Sequence, residues 1–110
     1  MVRPIPKRLL IHSVTYEEYK EDDGYGDSFA DPIEIKNVRV EPKSAIARSN
    51  IREDIEGSTL LFLDRRHSSP FLRPVERSRI TFNGRRYEVS SVDEFYADSD
   101  VVHHLEVTLT

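Results

Sequence analysis

The chain has 110 residues, a formal net charge of −4 and 33% charged residues, enough for one small domain with a modest core. It contains no cysteine, which excludes a disulfide framework, a thiolate zinc site and a cysteine nucleophile. No apolar run reaches the roughly 20 residues that span a bilayer as a helix, and the acidic balance disfavours a dedicated nucleic-acid binder, which carries a basic excess.

The opening "MVRPIPKRLLIHSV" places basic residues before an apolar stretch. That stretch is too short and its prolines come too early for a secretory signal, so a soluble protein with no membrane partner is expected. Within residues 7–20, Leu9, Leu10 and Val14 fit a helical spacing, but Ile11, Val14, Thr15, Tyr16 and Tyr19 favour a long first strand. "EDDGYGDSFADP" (residues 21–32) follows as a Gly- and Asp-rich loop. "IEIKNVRVEP" (residues 33–42) carries Ile33 and Ile35, then Val38 and Val40, so its apolar parity shifts midway. A β-bulge near Lys36-Asn37 restores a common inward face. "KSAIARSNIREDIEG" (residues 43–57) is too long for a simple hairpin loop and spaces Ile46, Ile51 and Ile55 through a polar background.

"STLLFLD" (residues 58–64) reads as a strand buried on both faces. The prolines of "RRHSSPFLRPVE" exclude a regular central strand there. "ITFNGRRYEV" is the strongest local signal, because Asn-Gly suits the two positive-φ positions of a type I′ turn. With Asn83-Gly84 as the loop, Ile80 faces Tyr87, Arg79 faces Glu88, and Ile80, Phe82, Tyr87 and Val89 share the inward face. "VVHHLEVTLT" alternates again, with Val101, His103, Leu105, Val107 and Leu109 on one face. No internal repeat or second domain is visible. The expected architecture is all-β, a single small antiparallel barrel or sandwich spanning residues 1–110 with long loops.

Chemistry-bearing constellations are sparse. His103 and His104 are adjacent, so on a strand they point to opposite faces, and His103 is expected as a satisfied core histidine. The acidic loop lacks the ligand spacing of a calcium loop, and no HExxH occurs. Ser68 and Ser69 lie beside His67 without a nucleophile elbow, and neither "GYG" nor "NG" is a phosphate-binding loop. No catalytic residue, metal or cofactor is expected. The arginines between Arg65 and Arg86, with Phe71, Phe82 and Tyr87, could form a nucleic-acid face of the OB type, although the hairpin register sends Phe82 and Tyr87 inward.

Charge is segregated along the chain. The block from Glu17 to Glu34, including Asp22, Asp23 and Asp27, is acidic, and the block from Arg65 and Arg66 to Arg86 is basic. Two solvated faces of a monomer would account for this, and so would head-to-tail contacts between copies.

The segments "RPIPKRLLIHSVTYEEY", "VRVEP", "LLFLD", "ITFNGRRYEV" and "DSDVVHHLEV" together resemble the minor capsid proteins of tailed phages and prophages of Gram-positive bacteria. More distantly, the final hairpin resembles that of head–tail joining (stopper) proteins. The resemblance implies a non-enzymatic, small β-barrel virion component at the head–tail junction, made in the host cytoplasm. It further implies a ring homo-oligomer below the portal, monomeric or weakly associated when isolated. The implied partners are portal, connector and tail proteins, with non-specific contact to packaged DNA. Expected interaction residues are Ile46, Ile51 and Ile55, Asp22, Asp23 and Asp27, and Arg65 and Arg66. A nucleic-acid-binding barrel is the alternative, and a metal-dependent enzyme the third reading.

Overall fold

A computed structural model describes residues 5–21, 28–42, 59–97 and 99–110. Among these, a 3₁₀ turn, Lys7–Leu9, precedes the strands β1 (His12–Glu17), β2 (Tyr19–Lys20), β3 (Ser28–Phe29), β4 (Ile33–Pro42) and β5 (Thr59–Asp64). They are followed by β6 (Arg79–Phe82), β7 (Arg85–Tyr96) and β8 (Val102–Leu109). The larger sheet closes on itself in the order β1-β4-β5-β8-β7-β6, and β2 and β3 pair separately. Every ladder is antiparallel. The fold is an all-β barrel, and the sandwich alternative falls away.

The Asn-Gly hairpin forms as its sequence dictates. Asn83 (φ 52°) and Gly84 (φ 74°) both adopt positive φ, and Ile80 pairs with Tyr87 and Arg79 with Glu88. Ile80 and Val89 are fully buried, whereas Phe82 and Tyr87 are half-buried and pack against the rim of the core. β7 continues to Tyr96, well past the predicted hairpin. Its first half pairs with β6 and its second with β8, so one strand turns the sheet's corner.

The predicted bulge is also present. Ser13 pairs with Lys36 and His12 with Val38, which leaves Asn37 unpaired at φ 57°. Asn tolerates this left-handed geometry better than most residues. Its amide Nδ2 donates to the His67 carbonyl (3.2 Å), and its own carbonyl accepts from the Ser68 hydroxyl (2.7 Å). The bulge turns Ile35, Val38 and Val40 inward together, while Ile33, at the strand's start, stays exposed.

The single long first strand does not form. Leu9 and Leu10 donate backbone N–H groups to the Pro6 and Lys7 carbonyls, so the helical spacing wins for one turn before β1 begins. Leu10 is buried and Ile11 exposed as a result. β5 is buried on both faces as expected, and the core gathers Val14, Tyr16, Ile35, Val38, Val40, Leu61, Leu63, Ile80, Val89, Leu105, Val107 and Leu109. The irregular segment after β5 contributes Phe71 and Leu72 to its margin.

Candidate functional site

Two polar centres lie towards opposite ends of β8, and their chemistry differs. The first surrounds Asp64, whose side chain is fully buried at the end of β5. Its Oδ1 accepts the Ile5 N–H (2.9 Å), and its Oδ2 accepts the N–H groups of Arg66 and His67 (both 3.0 Å). The Asp64 N–H donates to the Ser68 hydroxyl (2.8 Å), which donates onward to Asn37. An isolated buried carboxylate is costly, and these three charge-assisted bonds offset that cost. The knot holds the amino-terminal segment, the β4 bulge and the turn after β5 together. Its capacity is spent inside the chain, so its role is structural.

The second centre is a cleft of about 380 Å³ lined by Phe29, Arg77, Arg79, Arg86, Tyr87, Glu88 and Thr110. Strand alternation places Arg79 of β6 and Arg86 and Glu88 of β7 outward, and Arg77 joins them from the turn before β6, where it adopts φ 75°. Arg79 and Arg86 are diagonal neighbours across the β6–β7 ladder. The Arg79 guanidinium lies over the Phe29 ring (3.8 Å), Arg77 over Tyr19 (4.8 Å), and nearby Arg85 over Tyr87 (5.4 Å). Such stacking uses the faces of the guanidinium groups and leaves their N–H edges to bond elsewhere. Among the described residues, no carboxylate forms an ion pair with Arg79 or Arg86.

A buried hydrogen-bond node supports this cleft from within. Tyr16 is 1% exposed, and its hydroxyl accepts the Val75 N–H (2.9 Å) and shares a hydrogen bond with the Ser78 hydroxyl (3.3 Å). Ser78 also accepts the Tyr19 N–H (2.8 Å). Tyr19 in turn pairs with Phe29, ring edge to face at 5.9 Å, across the small β2–β3 sheet. The base of the acidic loop is therefore an ordered hairpin docked against the basic strand. The two oppositely charged blocks meet inside one chain.

The continuous basic block of the sequence is divided in space. Arg65 donates its backbone N–H to the His103 carbonyl near the start of β8, whereas Thr110, just past its end, lines the cleft. Seven residues of strand separate these points, about 20 Å at the usual rise. Arg65 and Arg66 are exposed there and stand apart from Arg77, Arg79 and Arg86. Asp22, Asp23, Asp27, Ile46, Ile51 and Ile55 lie outside the described residues.

His103 is half-buried rather than in the core, and its Nδ1 lies 2.9 Å from His104 Nδ1. The opposite-facing arrangement fails because the β7–β8 register shifts here. Phe95 pairs with His104 and Tyr96 with Val102, so His103 is the extra residue of a bulge and simple alternation breaks. His104 also stacks on Phe95 (4.9 Å) and reaches Glu106 (3.1 Å). Among the described residues, no three His, Cys, Asp or Glu side chains are arranged to hold a metal ion.

Sequence reasoning missed Tyr19 and Phe29 as cleft residues. Their signal was present, since two aromatics flank a Gly-rich stretch as hairpin partners do, but their arginine partners lie far along the chain.

A family model described as minor capsid protein matches residues 6–109, nearly the whole chain. The chain belongs to the minor capsid protein family. It is thus a phage structural protein of the virion, and interaction with other virion proteins follows from that membership. No curated protein and no solved structure matches the chain. Within this minor capsid protein, the Asp64 knot is internal scaffolding and the arginine cleft faces outward.

Proposed function

We propose that this minor capsid protein is a head–tail connector subunit of the stopper type, assembling as a ring below the portal and presenting a docking surface to the tail. One arrangement carries the reading: both long connections depart beside the basic cleft. Residues 43–58 join strand ends that pair directly, Pro42 with Thr59, and Thr59 pairs with Leu109, the neighbour of cleft residue Thr110. The acidic residues 22–27 connect β2 and β3, whose Phe29 lines the same cleft. A closed barrel has no free sheet edge, so subunit contacts fall to side-chain faces and to such connections. Ile46, Ile51 and Ile55 would supply apolar contacts to a neighbouring subunit. Asp22, Asp23 and Asp27 would supply charge opposite a neighbour's arginines, in the heterologous manner of a ring.

The test is electron microscopy of particles from a phage lacking this gene. A connector role predicts DNA-filled or leaking heads and complete but unattached tails in one lysate. Normally tailed particles, or failure to form heads, would end this reading.

A further inference from the structure

We propose that the cleft formed by Arg77, Arg79 and Arg86 is a contact site for the phosphate backbone of duplex DNA. The proposal deepens the virion reading by naming a partner and a site, and it would survive failure of the head–tail assignment.

Three observations favour DNA phosphate over a protein partner. First, among the described lining residues three arginines accompany one glutamate, Glu88. Arg79 lies between Glu17 and Glu88 in the ladders, whereas Arg86 stands opposite the uncharged Thr81, so the cationic edge of the cleft is at Arg86. Second, Arg79 and Arg86 have no ion pair among the described residues, and the guanidinium N–H fork matches phosphate oxygens in shape as well as charge. Third, Arg77 and Arg79 cover the faces of Tyr19 and Phe29, rings that could otherwise receive a base or an apolar side chain. A protein interface centres on a buried apolar anchor, and sequence-specific single-strand binding needs open rings for stacking. A cleft whose rings are capped by cations instead offers charge and hydrogen-bond donors, which suits sequence-neutral contact with a backbone. The packing on Phe29 and Tyr19 also holds the arginines in place before a phosphate arrives, reducing the ordering cost of binding.

The experiment is a salt titration of the isolated full chain with a short, mixed-sequence, fluorescently labelled duplex, read by anisotropy. With about two effective phosphate contacts, log K should fall against log salt with a slope of about −2. Arg86→Gln should lessen that slope by about 1, and Arg79→Gln should do the same, with Arg79→Lys retaining most of it. Arg66→Gln, towards the other end of β8, should leave the slope unchanged. Scrambling the duplex sequence should also leave affinity unchanged. Circular dichroism of each variant reports whether it folds. If loss of the Phe29 contact unfolds Arg79→Gln, the exposed Arg86 decides the matter alone.

Salt-independent binding or none at low salt would overturn the proposal, as would an unchanged slope in Arg86→Gln. An equal loss in Arg66→Gln would show diffuse attraction rather than a site. If Arg86→Gln instead abolishes self-association in sedimentation and leaves DNA binding intact, the cleft is a protein interface and the proposal fails. None of these outcomes bears on particle morphology, which tests the connector role.

Discussion

The Asp64 knot and the arginine cleft contain the same kinds of group, charged side chains and backbone donors, put to opposite uses. At Asp64 both carboxylate oxygens bond backbone N–H groups, and the residue is inaccessible to solvent. At the cleft, arginines rest on aromatic rings, and Arg86 is exposed. A buried charge must find all its partners within the chain, because unmet ones cost the fold directly. A surface cation pays no such penalty and can keep its bonding capacity for another molecule. The difference separates side chains that build this minor capsid protein from those that present it to the virion.

That contrast breaks most readily at the knot. Asp64→Ala should destabilise the protein by about 3 kcal/mol or more in chemical denaturation, because it strands three backbone donors. A loss below about 1 kcal/mol would mean water substitutes for the carboxylate, and the knot would not be structural. Tyr16→Phe tests the internal support of the cleft. It should cost about 1–2 kcal/mol, since the Val75 N–H loses its acceptor and Ser78 a partner.

Gly84→Val should cost about 1 kcal/mol by the same measurement, through backbone strain at φ 74°. A Cβ at that position would meet nothing within 4 Å, so crowding cannot account for the loss. Arg86→Gln should change stability by less than about 0.5 kcal/mol, the ordinary range for an exposed side chain, while weakening DNA binding. A large thermal shift there would place Arg86 with the scaffold and erase the distinction. Replacing Ile46, Ile51 and Ile55 together with serine should leave the melting temperature unchanged and yield particles without tails. Unfolding of the isolated chain would instead assign these isoleucines to its own core.

Much of the barrel was legible because its signals are local. The Asn83-Gly84 turn, the parity shift resolved at Asn37 and the uninterrupted apolar run of β5 each follow from backbone sterics or strand alternation over a few residues. The candidate site was less legible. Arg77 and Arg79 looked continuous with Arg65 and Arg66, yet the irregular segment between them carries the chain from one end of β8 to the other. Lys7–Leu9 escaped because it precedes the ladder that enforces alternation, and the His103–His104 contact because the β7–β8 register shifts at His103.

By itself, the sequence determined the all-β class, the hairpin register and most inward residues of β4, β5 and β8; Ile33 and Val101, expected inward, are exposed, and Val102 packs on the core in place of Val101. Those outcomes depend on φ preferences and on a two-residue period, which act between neighbours along the chain. Tertiary structure decided that Asp64 is buried, that Tyr16 and Ser78 support the cleft, and that Arg77 and Arg79 dock on Tyr19 and Phe29. Asp64 is met by its own following turn and by the remote Ile5. The Tyr16–Ser78 bond and the arginine–ring contacts join groups remote in sequence, and closure of the barrel, which brings β1 against β6, places them within reach.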